Sequence, residues 1–238
     1  MKKTALLIQP GAFGDIIVCA PIAEWYASQG YEVLFPARKK YHSLLKQLPY
    51  VTPILLDDEE LHHDWLQGDV FKVFKLGLKP DITINLADRG PHPLAQRFGE
   101  YNAHTKYRLA NVPFEQQHKL SWTRRKDKED EIYNEYVPHG VEYAFVHNSS
   151  SDGEMLNLPP ISLPIIFNDT PEGYSIFDWY KLIINASEVY CSESALHCFC
   201  DGIIHQMKGK KYLLPREAGG GELLTKSEFW DKKYFYEN

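Results

Sequence analysis

Residues 4–35 read TALLIQPGAFGDIIVCAPIAEWYASQGYEVLF. Thr4 to Gln9 is a short apolar run closed by Pro10-Gly11-Ala12-Phe13-Gly14-Asp15, and a helix-like stretch of small and apolar residues follows from Ile16 to Ser28. Gln29-Gly30 stops that helix, and Tyr31-Glu32-Val33-Leu34-Phe35 has the composition of a strand. Strand, glycine turn, helix and strand make a βαβ unit. Such units imply a parallel sheet covered by helices on both faces, which sets the class as α/β.

Working outward, Val51–Leu56 and Asp81–Leu86 supply two more strands, with helical segments near Tyr41–Gln47 and Leu66–Leu76. From His118 to about Glu135 the chain turns charged, with the run Arg124-Arg125-Lys126-Asp127-Lys128-Glu129-Asp130-Glu131. Such a run reads either as a helix with mixed-sign pairs or as the crossing between two domains; we place the boundary there and expect domains at 1–118 and 136–238, joined by a linker at 119–135. The second half restarts with a strand at Tyr143–His147 and the polar turn Asn148-Ser149-Ser150-Ser151-Asp152-Gly153. Ile165-Ile166-Phe167 follows a proline-rich stretch, and Ser175 to Asp178 carries the capping-box pattern that starts a helix running to about Ala186. Glu188–Cys191 is a strand, Ser194–Cys200 a helix and Lys211–Leu214 the last strand, while the aromatic-rich Phe229–Tyr236 is expected to form a terminal helix packed back on the first half.

The 238 residues, 44% of them hydrophobic, are enough for two small cores. A net charge of −6 gives no general footprint for nucleic acid. The basic runs Arg38-Lys39-Lys40, Arg124-Arg125-Lys126 and Lys208-Gly209-Lys210-Lys211 read first as solvated surface. No stretch approaches the roughly 20 apolar residues that span a bilayer, so no transmembrane segment is expected. Cys19, Cys191, Cys198 and Cys200 do not resemble a disulfide framework, which fits a reducing cytoplasm.

Ligands of open α/β sheets bind beyond the carboxyl ends of strands, where loops meet helix N-termini. Three loops qualify. In Gly11-Ala12-Phe13-Gly14-Asp15 the glycines permit a tight turn, and Asp15 is suited both to capping the helix and to taking a proton from an attacking hydroxyl. The loop His147-Asn148-Ser149-Ser150 offers amides and hydroxyls to a diphosphate, or is simply a polar turn. The third, Ser187–Gly202, ends a strand in Ser192-Glu193-Ser194 with His197 on the next helix.

The segment QPGAFGDIIVCAPIAEWYASQGYEVLF, with Gly11, Gly14, Asp15 and Pro21, resembles the start of heptosyltransferase-type GT-B glycosyltransferases. The later stretch DITINLADRGPHPLAQRFGEYNAHTKYRL is similar in order and position to that family's next acceptor-side strand and loop. The resemblance implies two Rossmann-like domains whose parallel sheets face a cleft, with a shortened C-terminal domain. It implies Asp15 as catalytic base, and His147, Asn148, Ser149, Ser150, Ser192, Glu193, Ser194 and His197 as donor-binding residues. Gly11, Phe13, Gly14, Arg89 and His92 would lie on the acceptor side. The family's Asp-Ser/Thr-Gly is here Ser192-Glu193-Ser194.

The expected function is sugar transfer from a nucleotide-sugar donor to an acceptor hydroxyl, inverting and metal-independent, since no Asp-x-Asp is present and helix N-termini can hold a diphosphate. No cofactor is expected beyond the nucleoside-diphosphate sugar as co-substrate; the acceptor would be a glycan, a lipid-linked sugar or a modified nucleobase. Two alternatives stand beside it: a phage-type DNA nucleobase glycosyltransferase with a basic cleft of Arg38, Lys39, Arg124 and Arg125, and a non-catalytic sugar-nucleotide or glycan binding protein. No metal site is expected. His197 and Cys198 are neighbours about 100° apart on one helix, and Cys198 and Cys200 read as small buried hydrophobes. His62-His63-Asp64 and Pro91-His92-Pro93 read as surface loops.

Overall fold

The computed structural model describes residues 2–9, 12–56, 76–86, 102–149, 153, 155–214 and 229–232. Two compact units divide the chain, Met1–Thr123 and Arg124–Asn238.

In the first unit β1 is Thr4–Ile8, α1 Phe13–Ser28 and β2 Glu32–Arg38. A 3-10 turn at Lys39–Tyr41 runs into the short α2, His42–Leu45; β3 is Val51–Leu56, β4 Ile82–Asn85 and α3 Asn102–Leu109. The sheet order is β3-β2-β1-β4 and every pairing is parallel. Helix α1 starts at Phe13, ahead of the expected Ile16, because Asp15 turns back to accept the Ala12 N–H at 3.1 Å and so satisfies a free donor of the first turn. It ends where expected: Gly30 adopts φ +89°, a left-handed conformation that glycine takes without a Cβ penalty. On one sheet face Leu6, Ile8 and Leu56 form a buried cluster with Leu34 and Ile54 against it. The helix expected at Leu66–Leu76 falls outside the described residues except for Leu76, which lies in a turn.

In the second unit α4 is Lys126–Tyr136, β5 Ala144–His147 and β6 Ile165–Phe167. A 3-10 turn at Ile176–Trp179 leads into α5, Tyr180–Asn185; then come β7 Glu188–Ser192, α6 Ala195–Gly202, β8 Lys210–Leu214 and β9 Asp231–Lys232. The order is β6-β5-β7-β8-β9, again all parallel. The charged run expected to link the halves holds α4, which packs on α5 and the preceding 3-10 turn within this unit. Its carboxylates explain the placement. Glu129 is buried beneath Arg124, and Asp178 is buried against Arg125. Asp178 also closes the capping box, accepting the Ser175 N–H at 2.6 Å.

Two expectations for the C-terminal stretch are corrected. Lys210–Leu214 is not the last strand, and residues 231–232 are not helical: they pair in parallel with β8, Tyr212 against Asp231 and Leu213 against Lys232. The physical reason is the residue before them. Trp230 is buried and its indole donates to Asp201 Oδ1 at 2.7 Å, fixing the following backbone along the β8 edge of the same sheet. Residues 233–236 of the expected terminal helix lie outside the described residues.

At the amino ends of β7 and β8 the backbone closes tightly on Gly209, where a Cβ would sit 2.2 Å from the Ala186 carbonyl oxygen. All four cysteines are free thiols. No helix among the described residues is long and apolar enough to cross a membrane.

Candidate functional site

Both sheets reverse their winding at one place, and that is where open α/β sheets bind ligands. In the first sheet β1 is followed outward by β2 and β3, and β4 returns to its other side, so the reversal lies between β1 and β4. In the second it lies between β5 and β7.

At the first reversal stands Asp15, the third residue of α1 and only 6% exposed. Its Oδ2 accepts the Ala12 N–H, and its Oδ1 accepts a hydrogen bond from Lys106 Nζ at 2.9 Å. The Lys106 side chain is 1% exposed, so this is a buried ion pair reaching from α3 to the first turn of α1. Asp15 therefore has one of the two roles expected of it, capping the helix, and its carboxylate is compensated by a buried ammonium, which the sequence did not suggest.

The ammonium is felt further along α1. Burial pushes the Cys19 thiol above its ordinary value, and the nearby Lys106 charge partly opposes that rise. Tyr107, next to Lys106, donates its hydroxyl to the Val18 carbonyl at 3.1 Å and ties α3 to α1.

Sequence reasoning missed Lys106. It is 91 positions from Asp15, but a local signal exists. Ala103, Lys106, Tyr107 and Ala110 are spaced i, i+3, i+4, i+7 and all are buried, so a lysine sits in the apolar stripe of a helix. A lysine there needs a partner.

Phe13 opens α1, and its ring lies 5.8 Å from that of Tyr41 at an angle of 48°. Gly14 is half-buried beside it. Gly11, Arg89 and His92, expected on the acceptor side, lie outside the described residues.

In the second unit the register sets His147 against Cys191, which brings the loops after β5 and β7 side by side. Ser192 is fully buried and donates its hydroxyl to the Ser149 carbonyl at 2.5 Å, joining the two loops directly. Asn148 holds its own loop closed: its Nδ2 donates to the Leu156 carbonyl at 2.9 Å, and its carbonyl accepts the Leu156 N–H at 2.8 Å. Ser194 is the N-cap of α6, with its Oγ accepting the His197 N–H at 3.4 Å. Glu193 is buried between Ser192 and Ser194 in the chain. Burial holds the His147 imidazole below its ordinary range, opposed in part by a hydrogen bond with Asn168. Ser150 lies outside the described residues.

His197 is placed differently from the rest. It is 3% exposed, edge-on to Trp230 at 5.0 Å, with Nε2 3.8 Å from Asp201 Oδ2. It packs in the body of the unit with the Trp230–Asp201 anchor. Among the described residues no three His, Cys, Asp or Glu side chains are grouped to hold a metal ion. Arg124 and Arg125 carry their charges to Glu129 and Asp178, and Arg124 also stacks 4.2 Å over the Tyr180 ring.

No protein-family model and no curated protein sequence matches the chain. Among solved structures it is similar to a glycosyl transferase family 9 protein from Veillonella parvula DSM 2008, at 12% identity and a TM-score of 0.53, over 90% of this chain and 80% of that one. It is also similar to the ADP-heptose LPS heptosyltransferase II of E. coli, at 10% identity and a TM-score of 0.50, over 99% of this chain and 91% of that one. At such identities the likeness speaks for the fold: the chain has a GT-B-like α/β architecture of two Rossmann-like units, each built on a parallel sheet.

Proposed function

We propose that the chain is a glycosyltransferase that moves a sugar from a nucleoside-diphosphate sugar to an acceptor hydroxyl, with inversion and without a divalent cation. The observation that carries this reading is Asp15: a buried carboxylate at the winding reversal of the first sheet, held by Lys106 and by the Ala12 N–H, in a fold shared with glycosyltransferases.

The donor is assigned to the second unit. Its diphosphate would rest on the loops after β5 and β7, where Ser149, Ser192 and Ser194 bring backbone N–H groups and hydroxyls to the first turn of α6. Such dipoles stabilise the leaving diphosphate as its charge develops, in the place a metal ion would otherwise take. Glu193 is suited to a ribose or sugar hydroxyl. The acceptor belongs to the first unit.

In the transfer, the acceptor oxygen attacks the anomeric carbon as the bond to the diphosphate breaks. Its proton passes to Asp15, and the nucleoside diphosphate leaves with the bonding electron pair. Lys106 acts through Asp15: it compensates a buried charge and fixes the direction of the carboxylate, so it is a positioning residue. The free thiols fit a reducing compartment, and the cytoplasm is the site of action we assign.

The Lys106 pair changes how the base must be tested. Asp15→Asn alone would remove the carboxylate that compensates a buried ammonium and so would perturb folding as well as chemistry. The charge-neutral variant Asp15→Asn/Lys106→Met avoids this. It should bind nucleoside diphosphate in calorimetry with parental affinity and transfer sugar about 100- to 10,000-fold more slowly. Transfer at the parental rate would show that Asp15 is a helix cap and not the base.

A further inference from the structure

We propose that Gln9 is a specificity-determining residue of the acceptor site and reads a pair of neighbouring, uncharged hydroxyls on a sugar acceptor; this rests on the glycosyl-transfer reading above. Gln9 is 1% exposed, yet neither its Nε2 nor its Oε1 finds a hydrogen-bond partner among the described residues. Buried carboxamides are ordinarily paired, because an unpaired one loses its water and gains nothing in return. A leucine or methionine would fill the same space without that penalty. The position therefore carries a polar group that the described fold itself does not use.

Its place is informative. Gln9 is one residue beyond β1, and the Leu86 N–H still donates to the Ile8 carbonyl at 2.9 Å, so Gln9 stands on the carboxyl rim at the reversal between β1 and β4. Alternation along a strand puts Leu6 and Ile8 on one face and Leu7 and Gln9 on the other. Leu6 and Ile8 belong to the cluster with Leu56, Leu34 and Ile54, which contains no residue of α1. Helix α1 follows Gln9 in the chain after three residues, and Asp15 lies in the first turn of that helix.

The chemistry narrows the ligand. A carboxamide offers two N–H donors on one side and an acceptor on the other. An anionic group would pair with the N–H side and repel Oε1. Two adjacent hydroxyls, each donor and acceptor, satisfy both sides at once. An acceptor that gives its proton to Asp15 must carry a hydroxyl, and on a sugar ring that hydroxyl has hydroxyl neighbours. The tilted Phe13–Tyr41 pair, 5.8 Å between centroids, supplies apolar surface for the C–H face of such a ring.

The test uses methyl glycosides of glucose, galactose and mannose, their singly deoxygenated forms, methyl glucuronide and free nucleosides, titrated into the full chain and into Gln9→Met by calorimetry. The parental protein should bind at least one neutral glycoside, and removal of one hydroxyl of the pair should weaken it tenfold or more. Gln9→Met should melt at an unchanged or higher temperature, bind nucleoside diphosphate unchanged, and bind the intact glycoside at least tenfold more weakly, without further loss on deoxygenation. Equal glycoside affinity in Gln9→Met would overturn the proposal, as would a parental protein that takes only the glucuronide, only nucleosides or none of the panel. Hydrolysis of nucleotide sugars, followed in the same samples, reports separately on the transferase reading: its absence defeats that reading, while the glycoside titration still decides Gln9.

Discussion

Replacing Lys106 by methionine removes an ammonium while keeping an unbranched apolar stem in a helix position that is 1% exposed. At 2.9 Å and an effective dielectric constant near 20, the gross attraction it loses is about 6 kcal/mol, part of which offsets the cost of burying both ions. Removing one partner of a buried pair leaves the other charged and unsolvated, and the net cost is typically about 3–5 kcal/mol. Domains are stable by only about 5–15 kcal/mol, so this is a substantial fraction of the first unit's stability. Asp15→Asn should cost a similar amount by stranding Lys106. The double variant removes both charges and should be far less damaged than the sum of the singles, with a coupling of about 3 kcal/mol or more. Native-state hydrogen exchange is the suitable assay, because amides in α1 and α3 report on the first unit separately from the second. If the two single costs add within about 0.5 kcal/mol, the residues are independent and the ion-pair account of the site is wrong.

The His147 imidazole is held below its ordinary value of 6.5 by burial, so the unfolded chain binds the extra proton more readily. Its contribution to stability is whole above about pH 6.5 and is lost as the pH falls through the folded-state value. The urea midpoint of the second unit should therefore drop on acidification below about 6.5, and His147→Gln should flatten that part of the profile; an unchanged slope would refute the assignment. Gly209→Ala forces a Cβ to within 2.2 Å of the Ala186 carbonyl oxygen and should cost about 3 kcal/mol, the upper end for overpacking, in urea unfolding of the second unit. Gly140→Ala is its control: with φ +74° and no atom within 4 Å of the added Cβ, it should cost about 1–2 kcal/mol.

What the sequence determined by itself was the local and periodic part of this protein. The run from Thr4 to Phe35 specifies strand, helix and strand, because apolar spacing, the Asp15 carboxylate and Gly30 each act on residues close by in the chain. The α/β class, the Ser175–Asp178 capping box and the loops after β5 and β7 were legible for the same reason. Tertiary structure decided whatever depends on a partner far along the chain. The charged run around Arg124 reads equally as a helix and as a linker until Glu129 and Asp178 bury against its two arginines. The aromatic stretch after Phe229 looks helical until Trp230 finds Asp201 and the β8 edge offers its free backbone groups. Asp15 alone is indistinguishable from a helix cap; Lys106, arriving from α3, makes it one end of a buried ion pair. Gln9 differs from an ordinary polar residue after a strand only because the fold buries it and leaves its amide atoms without partners among the described residues. Short-range hydrogen bonding and hydrophobic period are written in neighbouring residues, whereas burial, and the charge or amide stranded by it, exists only once distant segments have packed together.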